Sequence, residues 1–330
     1  MNIKRLLISL LLPLLLTTLA PQAVFAATTA DTFQITDDGG QQKDPLVYKK
    51  VVAYDSLSDI WAYDFDTHTN YPLIQKDGEQ YLTGFYKNLI LYDNLDIDAS
   101  ILQVRMFNTE TGIDSLIAGG AISHSGGVTN GKYVIYLDGG ACGSIHAYNL
   151  KKKTDVVISS SGGCLPLRIS DNTVVWPSGA AGGTNISGYD LQDNQALDVV
   201  SDPGFQESPN IFDDKVVYLE YFTGNLGDYN AIKIKDLDSG ETKTIYESTT
   251  STLQWPAISN KYVVWSESTA QHINGVQAAN LKTGEVFEVQ AQGPHQNSHT
   301  MLSIWKNVAS WMSFRTGNGD IYASRFDKNH

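Results

Sequence analysis

Four of the seven histidines fall in polar stretches between β-forming runs. His124 lies in GGAISHSGG, His272 in STAQHING, and His295 and His299 in GPHQNSHT. Imidazoles gathered at one place would serve a transition metal or act as a general base near neutral pH. The H-x-x-x-H spacing of His295 and His299 suits a helix, but here it falls in a loop and carries little weight. The four read either as scattered loop residues or as the weak catalytic candidates of this chain. A second group is YDNLDIDAS, where Asp93, Asp96 and Asp98 bring three carboxylates within six residues. Such oxygen donors suit Ca²⁺ or another divalent metal, although the loop lacks the glycine and distal glutamate of an EF-hand. A third is the insertion LEYFTGNLGDYN, with Glu220, Tyr221, Phe222, Asp228 and Tyr229. Aromatic rings beside carboxylates would stack on a sugar or anchor a protein partner. Trp255 and Arg315 are expected to extend that patch. The sequence contains no G-x-S-x-G elbow, H-E-x-x-H zinc motif, phosphate-binding P-loop or dinucleotide fingerprint.

The elements that carry these residues repeat. YKKVVAYDS, YKNLILYDN, NGKYVIYLD, SDNTVVWPS, FDDKVVYLE, SNKYVVWSE and WKNVASWMS place Tyr54, Tyr92, Tyr136, Trp176, Tyr218, Trp265 and Trp311 at intervals of 38, 44, 40, 42, 47 and 46 residues. A period near 43 residues, built of short β-rich runs, is that of four-stranded β-propeller blades. Each aromatic belongs to the second strand of its repeat and is expected to pack between sheets. A third-strand motif follows, as in DIWAYDFDT and GYDLQDN, and several copies run into a turn glycine (Gly112, Gly240, Gly284). Pro45, Pro209 and Pro256 stand nine residues before the aromatic, where the first residue of an inner strand would tolerate them. The fold expected is all-β, a seven-bladed β-propeller of four-stranded antiparallel blades. The seventh repeat lacks a fourth strand, and DTFQIT (Asp31 to Thr36) would complete it and close the ring.

The pattern P-x-I-(turn)-V-V-W/Y followed by D-I-x-x-Y-D resembles the TolB-like seven-bladed propellers of exported bacterial and archaeal proteins. It is carried here by WPAISNKYVVWSE, SPNIFDDKVVYLE and DIWAYDFDT over most of residues 45–327. The resemblance implies a fold more than a function, because related propellers include interaction scaffolds, lectin-like modules and polysaccharide lyases. Oligogalacturonate lyases place histidines and a metal near the channel of such a ring, but no residue-by-residue match to that site is found.

Successive strands alternate direction, so links from second to third strand and between repeats fall at one end of the ring. These links are expected to be long, and to form the functional face. Cys142 and Cys164 both fall there, in neighbouring repeats, and are expected to form a disulfide. At the start of the chain, Lys4 and Arg5 precede an apolar stretch, and VFA ends at Ala26, the pattern of a cleaved leader. The expected organisation is residues 1–26 as a signal peptide, 27–44 as a leader segment with the closing strand, and 45–330 as the propeller. The formal charge of −13 becomes −15 once Lys4 and Arg5 are removed with the leader. Such acidity speaks against nucleic acid, anionic membranes and polyanionic substrates. No membrane span is expected after cleavage, and a closed ring gives no reason to expect more than a monomer. Three functions fit. The first is an exported, non-catalytic propeller binding a protein or polysaccharide at the cell envelope. The second is a metal-assisted polysaccharide lyase or hydrolase using the histidines, and the third a structural envelope component.

Overall fold

The computed structural model describes residues 30–140, 142–179, 185–222, 229–269, 275–290, 300–314 and 317–326. The expected signal peptide, His272, His295, His299, Asp228 and Arg315 lie outside the described residues. Among the described residues the regular structure is β-strand throughout, in 28 strands, and no helix is long and apolar enough to cross a membrane. The first repeat shows the plan. Strands Gln42–Tyr48, Val51–Ser56, Asp59–Asp64 and Thr69–Ile74 pair antiparallel in sequence order. The second, fifth and sixth repeats form separate four-stranded sheets in the same order. The third and fourth are joined into one eight-stranded sheet, because strand Thr154–Cys164 runs on to pair Gly163 with Ser178. In the last sheet the strand Asp31–Gln34 lies antiparallel to Asp320–Arg325, with Phe33 opposite Ala323. Beyond it, the Ile35 N–H donates to the Ile321 carbonyl at 2.7 Å.

All seven second-strand aromatics are buried, Tyr136 being the most exposed at 5%. They sit in apolar clusters shared between neighbouring sheets, such as Val217, Leu219, Ile232, Val263 and Trp265 between the fifth and sixth. Their spacing is therefore a packing period, as expected.

Two local devices differ from the expectation. Pro45, Pro209 and Pro256 stand in mid-strand, at β-bulges where the register slips between Lys43 and Leu46, Glu207 and Asn210, and Gln254 and Ala257. A bulge leaves one residue outside the ladder, so a residue without an N–H is tolerated there. The residue ahead of each proline, Asp44, Ser208 and Trp255, has φ between 52° and 55°. The third-to-fourth turn depends less on glycine than the sequence suggested. Gly112, Gly240 and Gly284 take φ of 68°, 74° and 75°, but His68, Lys153 and Asn194 fill the same place at 53° to 56°. What the turns share is an Asp or Asn at the end of the third strand. Asp64, Asn108, Asn149, Asp190 and Asn280 each accept the N–H groups two and three residues on, and Asp236 accepts the one from Ser239. That side-chain bond replaces a backbone bond and sets the turn.

The expected contrast in link length holds for some links, as in the nine residues between Gln290 and Thr300, and fails for others. Only Leu57 and Ser58 join Ser56 to Asp59, and only Thr249 and Thr250 join the fifth repeat to the sixth. Residues read as loop are drawn into the strands, because the antiparallel pairing continues to the last residues, as between Ser56 and Asp59.

Candidate binding surface at the second-to-third-strand end

The fifth repeat presents its aromatics at this end of the strands. Phe205 begins the inner strand Phe205–Phe212, Tyr221 and Phe222 end Lys215–Phe222, and Tyr229 begins Tyr229–Asp236. Antiparallel pairing sets Phe205 opposite Tyr221 and Phe222 opposite Tyr229. The Phe205 and Tyr221 rings stack at 5.0 Å and 10°, and Phe222 lies 5.9 Å from Tyr229. Phe205 and Phe222 remain 39% and 40% exposed. Gly204, at φ 115°, makes room for this arrangement, since a Cβ there would come within 2.7 Å of the Phe222 ring. Behind the ledge, buried Glu220 forms an ion pair with Lys233, and the Tyr229 hydroxyl donates to Glu247 at 3.3 Å. Burial, and then the Glu207 carboxylate, raise the Tyr221 pKa, so its hydroxyl stays a neutral donor.

Trp255 is placed apart from the ledge. Trp255 is half-buried against the core shared by the sixth and seventh sheets, held at its bulge. The sequence missed Phe205, because it lies sixteen residues before Tyr221 and only strand register brings the two together.

Asp93, Asp96 and Asp98 are not brought together as a calcium site. Asp93 is 5% exposed and turned inward, where Oδ2 accepts the Gly126 N–H of the third repeat at 2.9 Å. Burial pushes its carboxyl up to about 7, against the pull of the Gly126 and Gly127 N–H groups. One repeat earlier Asp55 accepts the Leu82 N–H at 2.8 Å, and burial, then Asp44, holds its pKa well above the usual carboxylate range. These two aspartates link one sheet to the next. Asp96 is exposed and accepts the Ala99 N–H at 3.1 Å, and Asp98 is exposed. Among the described residues no group of three or more His, Cys, Asp or Glu is placed to hold a metal ion.

His124 has companions the sequence did not suggest. Its Nδ1 is 3.6 Å from Asp138 Oδ1, and His146 Nε2 is 3.6 Å from Asp138 Oδ2. His146 Nδ1 is hydrogen-bonded to Asp155 at 2.6 Å, and Tyr136 packs against both imidazoles at 5.7 and 5.1 Å. Burial, then Asp155 and Asp138, raise the Tyr136 pKa. Cross-strand pairing creates this group: His124 stands opposite Asp138, and Tyr136 opposite His146. Cys142 and Cys164 form the expected disulfide, but as a cross-strand pair within the third repeat rather than between neighbouring repeats, because strand Thr154–Cys164 runs on to the second cysteine; the bond clamps the edge from which the chain passes to the fourth.

No protein family and no curated protein matches the sequence. Solved structures do match its shape. An oligogalacturonate lyase in complex with manganese superposes with a TM-score of 0.66 at 12% identity, over 94% of this chain and 99% of that one. The β-propeller domain of the Trilobed protease from Pyrococcus furiosus, described as having an open velcro topology, gives 0.67 at 8% identity over 92% and 94%. A putative TolB from Agrobacterium tumefaciens gives 0.50 at 12% identity over 66% and 88%. TolB thus stands among several propellers rather than apart from them, and the chain has the β-propeller fold.

Proposed function

We propose that the chain is an exported propeller of seven blades, closed by the strand Asp31–Gln34, that binds a protein or glycan partner through the ledge of Phe205, Tyr221, Phe222 and Tyr229. The observation that carries this reading is the stacked, parallel pair of Phe205 and Tyr221 beside a Phe222 left 40% exposed. Rings aligned on a rigid sheet edge offer contact area at small entropic cost to a sugar face or an apolar side chain. Export is supported by the leader pattern ending at Ala26 and by the disulfide, which persists in oxidising compartments. In this reading the joined third and fourth repeats are two blades, and no catalysis is assigned. The alternative of a metal-assisted lyase or hydrolase rests on His124, His272, His295 and His299, of which His124 stands with Asp138 and Tyr136.

The test is a glycan panel and a set of immobilised envelope proteins, probed with the mature protein and with the double variant F205A/F222A. Binding retained by the parent and lost by a folded variant is the expected result. Equal binding by both would remove the ledge from the account.

A further inference from the structure

A second cluster lies at the opposite end of the strands, in the tight turns after the inner strands. Tyr48, Tyr86 and Trp305 are the last residues of the inner strands of the first, second and seventh repeats. Tyr48 lies 5.5 Å from Trp305, 5.8 Å from Tyr86 and 5.7 Å from Phe85, so the rings form an arc across three neighbouring sheets. A lysine follows each terminal ring. The ammonium groups of Lys49, Lys87 and Lys306 stand 5.7, 5.0 and 4.6 Å above Tyr48, Tyr86 and Trp305. All three lysines are exposed, and among the described residues none takes part in an ion pair.

The backbone makes these lysines unexpected. Lys49, Lys87 and Lys306 have φ of 55°, 56° and 55°, while Gly131, Asp171 and Asp213 fill the comparable left-handed place in the third, fourth and fifth repeats. Gly and Asp adopt that conformation readily and lysine does not. Three adjacent repeats thus place a cation where the local backbone favours another residue, the kind of conflict that collects at functional sites. At the arc opens a cavity of about 420 Å³ whose lining includes Tyr48, Lys49, Lys50, Phe85, Lys87 and Trp305; Tyr86 and Lys306 are not part of that lining, and Lys50 is paired with Asp66. Its size is that of a small-molecule site.

We propose that this arc binds a sugar ring carrying a carboxylate or sulfate group. Aromatic faces take the C–H face of a pyranose, and unpaired ammonium groups in a chain of net charge −13 supply a local field opposite to that of the whole molecule. The cavity fits a ring or two rather than the broad footprint of a polypeptide. The site is separate from the ledge and does not depend on it.

Isothermal titration calorimetry tests it with a glucuronate-containing disaccharide, a sulfated disaccharide and neutral cellobiose, at low salt and at 0.5 M NaCl. The expected result is binding of one or both anionic sugars, none of cellobiose, and at least tenfold weakening by salt and in K49Q/K87Q/K306Q. Which anionic sugar binds identifies the charged group. The conservative variant K49R/K87R/K306R should retain binding, which separates loss of charge from loss of fold. Equal binding of cellobiose or no binding of any sugar would overturn the proposal.

Discussion

The two ends of the strands are built differently. At the tight-turn end one device recurs: an Asp or Asn closes the third-to-fourth turn in six repeats by the same side-chain bond. At the other end the devices differ along the chain. The first and second use buried Asp55 and Asp93, the third a disulfide, and the fifth the Glu220–Lys233 pair. Many small, equal contributions hold one end and a few large, singular ones the other. The candidate sites follow the same division: the arc repeats a terminal ring and its lysine in three neighbouring repeats, whereas the ledge belongs to a single repeat.

That contrast can be broken by substitution. K233M should cost about 3 kcal/mol, because it strands buried Glu220 as an unpaired charge; urea denaturation checks it, and a cost below about 1 kcal/mol would show the pair to be dispensable. Replacing both cysteines by serine frees the loop they close and should also cost about 3 kcal/mol, read under non-reducing conditions. D93N addresses pH. The raised pKa means that the native state keeps its proton from about pH 4 to about 7, where the unfolded chain has lost it. Stability contributed by this group therefore falls as pH rises through that interval, by up to about 1.4 kcal/mol per pH unit. The asparagine still accepts the Gly126 N–H, so D93N should flatten the slope between pH 4 and 7; an unchanged slope would refute the assignment. At the periodic end, N280A should cost only about 1 kcal/mol, and N108A a similar amount. Unequal losses there would mean that the turns are not equivalent.

The sequence showed the propeller because its packing period lies in single large residues, Tyr54 through Trp311, that recur whatever the turns do. The N-terminal strand and the Cys142–Cys164 bond were legible for related reasons, since each follows from the order of strands. The mid-strand prolines were misplaced because a bulge leaves no mark in alternation. His146 and Asp138 were missed beside His124 because cross-strand register joins them. The arc was in view as the YK of YKKVVAYDS and YKNLILYDN and the WK of WKNVASWMS. Its residues stand 38 and 219 positions apart, so it shows as a site only when the same turn is compared from repeat to repeat. Net charge also hid it, because a sum over the chain does not show that three lysines outside any ion pair follow neighbouring rings.

The most direct test of two separate sites at two ends is to read both variants against both ligand classes in one experiment. F205A/F222A and K49Q/K87Q/K306Q would each be titrated with the anionic disaccharides and with the strongest partner from the panel. The expected result is a crossed pattern, in which the ledge variant keeps the anionic sugar and loses the partner, and the lysine variant does the reverse. Loss of both ligands in either variant, with the fold intact by circular dichroism, would contradict the division and leave a single site.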